Sequence, residues 1–284
     1  MTHLEKINSL NPETDAWEIL KLSAMYEFPW DYARSLELAL FRTFAVPSIS
    51  KILHQTKEFG KRPQKRYDDT DLILSEILEN GPESERTKEV IRKMNYLHSH
   101  YPISNNDYVY VLSTFVLEPP RWIDKRGYRQ VTRNEKLAYY HSWLLIGNEM
   151  GIKNIPASLE ELEQFNAAYE QENFVFNATN SAVGISTENM LLGWVLPKFL
   201  FPAAKPFLHA VMDERLLNAM GFSKPGFFVQ KFTDAFFTAR KNMIRFLPQR
   251  NHPVLRTKIS RKQTYPHGYK IEELGSIPYR DKKL

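Results

Sequence analysis

The side chains with the widest chemical scope in this chain are eight histidines: His3, His54, His98, His100, His141, His209, His252 and His267. An imidazole can move a proton near neutral pH or give a nitrogen lone pair to a metal. Two of the eight fall on apolar helix faces. At 100° per residue, His98 shares an arc with Val90, Met94, Leu97 and Tyr101, while His100 turns out of it. His141 shares an arc with Leu137, Leu144 and Leu145 by the same construction. Each is either a hydrogen-bonded core residue or a neutral nitrogen ligand, and helical phase alone does not choose between them. A buried neutral imidazole beside bulky apolar space is also what a non-covalent haem needs, with basic groups to meet its propionates.

Other chemistries lack their residues. There is no cysteine, which removes disulfides, zinc–thiolate sites, iron–sulfur clusters, thiolate-bound haem and a cysteine nucleophile. No phosphate-binding GxxxxGK[ST] loop, GxGxxG fingerprint, HExxH pair or GxSxG elbow occurs. Nucleotide hydrolysis, zinc proteolysis and serine hydrolase chemistry therefore have no support.

The elements that must hold these histidines read as helices. Asp31–Thr43 places Leu36 and Leu40 on one face, and Pro47 fits the start of the next segment. A basic connector from Lys61 to Arg66 leads to Asp68–Asp71, read as a cap and acidic first turn for Leu72–Glu79. Asn80-Gly81-Pro82 stops that helix, and Glu83–Tyr101 follows it. Tyr108–Leu117 has a β-prone composition, but burial on several faces predicts a helix, closed by Pro119-Pro120. Thr132 and Glu135 form a capping box for a helix to Met150. Further helices are expected from Ser158 to about Phe174, over Asp213–Met220 and over Lys231–Phe246, with 175–190 a loop and helix start. No βα alternation or hairpin pattern appears, so the expected class is all-α.

With 284 residues, 43% hydrophobic and 25% charged, the chain can bury a sizeable core without staples. Its net charge of +5 is unevenly placed: residues 240–284 carry 12 Lys/Arg against 3 Asp/Glu. A basic irregular tail is therefore expected over 251–284, dispensable for a helical domain over 1–250. No secretory apolar region or membrane span is visible. The reading is an intracellular protein, with peripheral membrane contact through 190–212 and the basic tail left open. Nucleic acid is not an expected partner, because aromatics are not interleaved with the tail charges.

Several ordered motifs resemble a known family. They are Phe44-Ala-Val-Pro-Ser-Ile-Ser50, Arg66-Tyr-Asp-Asp-Thr70, Ile91 through His98 to Tyr101, Ile103 through Tyr108 to Pro119, and Glu135 through Trp143 to Ile152. In order and spacing they are similar to the ER-bound oxygenase mpaB/mpaB′ and rubber oxygenase (latex-clearing) catalytic-domain family. The resemblance implies one helical domain with globin-like packing. It also implies haem b, with dioxygen inserted at a carbon–carbon double bond.

Carried over by position, the family's Arg-x-x-x-Thr element falls on Arg66 and Thr70, and its axial haem ligand on His98. The 28 residues from Thr70 to His98 fit that order, and His141 is left a packing role. Met94 and Tyr101, beside His98, would wall the porphyrin. Where the rubber enzymes carry a lysine before the threonine, this chain has Asp69, either a proton acceptor in the pocket or an exposed cap. The implied substrate is a smaller olefinic or prenylated lipid. The reading from another class is a non-catalytic helical protein that binds lipid or a membrane surface.

Overall fold

The computed structural model describes residues 1–258 and 263–276 and is all-α, with no strand among the described residues. The helices are α1 His3–Ser9, α2 Ala16–Lys21, α3 Pro29–Phe44, α4 Pro47–Gln55, α5 Glu58–Lys61, α6 Pro63–Asn80 and α7 Glu85–His98. Then come α8 Asn105–Arg126, α9 Arg133–Glu149, α10 Leu159–Asn173, α11 Ala178–Gly193, α12 Phe201–His209, α13 Glu214–Met220 and α14 Phe227–Arg245. Side-chain caps start many of them, including Ser84 for α7, Ser104 for α8, Asn177 for α11 and the Thr132–Glu135 box for α9.

Of the helix boundaries that differ from expectation, two involve prolines. α6 begins at Pro63, so Lys65, Arg66 and Asp68–Asp71 are interior helix residues rather than connector and cap. Proline at the first helical position has its φ preset and no N–H to lose, which outweighs the acidic run as a start signal. α8 runs through Pro119 and Pro120 to Arg126, with both prolines buried. They leave two carbonyls without amide donors, yet Trp122, Ile123 and Arg126 are buried beyond them, and packing along α3 holds the helix together.

α8 is the central helix, packed against α3, α9 and α10. One core cluster joins Leu72, Ile77, Val90, Leu112, Ile146 and Leu162; another joins Phe28, Phe41, Ile123, Val183, Leu216 and Met220. Between them Arg42 is buried and makes a two-pronged pair with Glu170, a second pair with Asp213, and lies 3.6 Å from Glu118. Tyr110 adds a hydroxyl bond to Glu170 at 3.1 Å. These carboxylates hold the Arg42 pKa above its ordinary value although burial opposes it.

The C-terminal segment is irregular as expected, but it is a packed strap rather than a separable tail. Val254 N–H bonds to Met25 O at 2.9 Å, and Arg256 Nε to Asp71 Oδ1 at 2.8 Å. Thr264 N–H bonds to Asp68 Oδ2 at 3.0 Å, and Tyr269 donates to Glu76 Oε1 at 2.6 Å. Ile271 and Leu274 are buried in the first core cluster. Arg240 pairs with Asp31, while Arg245 and Arg250 donate to the carbonyls of Tyr128 and Tyr26. Much of the basic excess is therefore spent on the body. The last residues of the expected tail, 277–284, lie outside the described residues.

Candidate active site

α6 from Arg66 to Ile77, the end of α7 and the first half of α8 enclose a cavity of about 250 Å³, with α3, α4 and α9 completing its walls. Arg66, Asp69, Thr70, Met94, His98 and Tyr101 all line it. The six site residues expected from sequence thus converge although 35 positions separate the first from the last. α6 does this through its turn spacing, with Arg66 and Thr70 on successive turns of one face and Ile73 and Ile77 continuing it. α7 presents Met94, Leu97 and His98 the same way. The rest of the wall is mainly apolar, including Leu40, Phe44, Val111, Phe115 and Ile146.

His98 Nδ1 is buried and has no hydrogen-bond partner among the described residues. Burial, aided by the Arg66 charge, pulls the His98 pKa down to about 4, so the imidazole is neutral at physiological pH. The ring meets Tyr108 edge-on at 5.6 Å between centroids. Arg66 donates to the Thr70 hydroxyl, Thr70 donates to Arg66 O at 3.0 Å, and the guanidinium sits 5.6 Å from the Phe59 ring centroid. Arg66 forms no ion pair among the described residues, and burial draws its pKa below the usual guanidinium value.

Every carboxylate on the wall is already occupied. Asp69 is buried, not an exposed cap: both oxygens accept from Lys65 Nζ at 2.9 Å, and Oδ1 accepts from Tyr265 at 2.5 Å. Glu58 holds Arg62, and Asp107 accepts from Ser48 at 2.8 Å and from Tyr169. Among the described residues, His98 Nδ1 and the Trp143 indole N–H are left on this wall without a hydrogen-bond partner, and the Arg66 charge is left without a counter-carboxylate. His141 does not line the cavity; it is partly exposed, with an edge contact to Tyr140. Trp143, two positions on, does line it and stacks on Phe115 at 5.0 Å.

Sequence reasoning missed Glu58, Asp107, Gly275 and Ser276 in the wall. Gly275 has φ +89°, and a Cβ there would stand 2.5 Å from Leu97 Cδ1, so glycine lets the strap close on α7. No periodicity could mark that residue. A second, narrower space of about 40 Å³ shares Leu40, Phe44, Arg66 and Thr70 with the cavity. It shares Phe41 and Leu191 with a third, apolar space of about 380 Å³ between α3, α12 and α14.

The family description "ER-bound oxygenase mpaB/B'/Rubber oxygenase, catalytic domain" matches residues 33–227, which include every helix that walls the cavity. The chain belongs to that family. It is similar to ER-bound oxygenase mpaB of Penicillium roqueforti (strain FM164), 31% identical over 226 residues, covering 73% of this chain and 76% of that protein. It is also similar to ER-bound oxygenase mpaB′ of Penicillium brevicompactum, 29% identical over 286 residues, covering 94% of this chain and 67% of that protein. As a member of the mpaB/rubber oxygenase family, this chain is an oxygenase, a dioxygen-using oxidoreductase. No helix among the described residues is long and apolar enough to cross a membrane.

Proposed function

We propose that this mpaB-family chain is a haem-b-dependent oxygenase that oxidises or cleaves a carbon–carbon double bond of a lipophilic, olefinic or prenylated substrate. The observation that carries the reading is the unpartnered Nδ1 of His98 in an apolar cavity whose one unpaired cation among the described residues is Arg66. A neutral buried imidazole suits iron, and an uncompensated guanidinium suits a propionate or another anionic group. The donor set therefore fits a haem, which His98 would hold through its ring nitrogen with Met94, Leu97 and Tyr101 beside it. Haem b, when bound, supplies the iron centre that binds and activates dioxygen.

The chain's own residues have separable tasks. Arg66 and Thr70 clamp each other across one helical turn, so the guanidinium keeps one orientation. Asp69 is assigned to positioning, because Lys65 and Tyr265 already occupy its carboxylate. The apolar wall excludes water and accepts a hydrocarbon chain. The relatives' description as ER-bound supports work at that membrane, through peripheral contact by 190–212 and the basic segment.

The test is a visible spectrum of the protein purified after expression with haem supply. The wild type should show a Soret band, His98→Ala should lose or shift it, and His141→Ala should keep it. A colourless protein that haem does not reconstitute overturns the reading and favours a non-catalytic lipid-binding protein.

A further inference from the structure

α14 presents an unusual outer face. At 100° per residue, Phe228, Phe232, Phe236, Met243 and Phe246 fall within about 80° of arc. All are exposed, Phe228 and Phe246 by 86% and 88%. Thr233 is the helix's buried residue, so α14 is an outer layer rather than a core helix. Val195, Phe199 and Phe207, from the segment before and within α12, extend the exposed apolar surface, and Phe207 meets Phe232 edge-on at 5.6 Å. Soluble surfaces rarely keep so large an aromatic patch without an occupant.

The charges around the patch favour one occupant. Residues 190–212 contain no Asp or Glu. Lys198 and Lys231 form no ion pair among the described residues, while α14 holds a single acid, Asp234, bonded to Gln230. Aromatic side chains with a lysine rim are suited to the headgroup region of an anionic bilayer, where lysine stems reach the phosphates. A twofold contact between two copies would bring these lysines against their own equivalents.

We infer that the α12–α14 face docks on the surface of a bilayer containing anionic lipid. The 380 Å³ apolar space opens in this same face, since Val195, Phe207, Phe232 and Phe236 belong to its lining. Docking therefore sets its mouth against the acyl chains. On the function proposed above, a lipophilic substrate reaches Arg66 and Thr70 from the membrane without crossing water.

Sedimentation with vesicles of phosphatidylcholine, with and without phosphatidylserine, tests the docking and needs no turnover or haem. The full chain should pellet with phosphatidylserine vesicles and lose binding as salt rises. Phe228→Glu with Phe246→Glu should weaken binding at least about tenfold while leaving the circular dichroism and any Soret band unchanged. The inference is overturned if the double variant pellets like the wild type, or if the wild type stays in the supernatant. It is also overturned if the wild type elutes as a dimer that the double variant splits, which assigns the face to a second copy. A haem-free protein that binds vesicles keeps the docking and removes only the proposed chemistry.

Discussion

Tyr265 donates its hydroxyl to Asp69 Oδ1 at 2.5 Å, joining the strap to the middle of α6 across 196 positions of chain. Burial and the neighbouring carboxylate both drive the tyrosine pKa far above its usual value, so the hydroxyl stays a donor at any working pH. The same oxygen also receives Lys65, whose Nζ lies 5.2 Å from the Tyr265 ring centroid. Asp69 is thus the anchor for two chain segments at the edge of the cavity.

Tyr265→Phe removes the donor and keeps the ring. It should cost about 1.5–3 kcal/mol, the range for a bond to a charged acceptor, measured by chemical denaturation. An unchanged midpoint would mean that the strap is held elsewhere.

Leu274→Ala should cost about 2–4 kcal/mol, because a fully buried leucine leaves a cavity that its neighbours cannot fill completely. Ending the chain after Arg250 removes Ile271 and Leu274 together. That truncated protein should be insoluble or lack a cooperative thermal transition. A soluble, cooperatively folding product would restore the view of a dispensable tail.

The strap also explains where sequence reasoning stopped. The helices were legible because caps and 3.6-residue periodicity are local, and His98 stood out because α7 has a clean apolar arc. Arg66 and Thr70 came from motif resemblance, and the helix beginning at Pro63 puts them one turn apart as that motif requires. Tyr265, Ile271 and Gly275 carried no local signal, since they work through partners about 180–200 positions away or on another helix. The acidic run 68–71 misled for a related reason: three of its carboxylates serve the strap, not a helix terminus.

Glu76 sets an acid limit on stability. Burial would raise its pKa, but bonds from Arg86 and Tyr269 outweigh that and hold it below the ordinary 4.5. A carboxylate with a depressed native pKa contributes stability that is whole above its unfolded value and lost as pH falls through its native one. Thermal midpoints should therefore fall on acidification below about pH 4.5, and Glu76→Gln should make that limb shallower. Parallel curves for the two proteins would show that Glu76 has no such share.

Arg42→Ala should be among the most damaging single changes outside the cavity. It strips the counter-charge from Glu170 and Glu118, both buried, and about 3–5 kcal/mol is the usual cost of such an orphaned charge. Adding Glu170→Gln should recover part of the loss. If the double variant is no more stable than Arg42→Ala, the charge argument fails.

Gly275 and Ser276 complete the wall around His98, and they emerge from the ribosome after α1–α14. During synthesis the pocket is therefore an open trough, with α6 and α7 in place but one side missing. Tyr265 and Tyr269 then fasten the strap to Asp69 and Glu76 on α6. Closing the wall is thus the task of the last described segment, and a mutation that loosens the strap should open the cavity without changing α6 or α7.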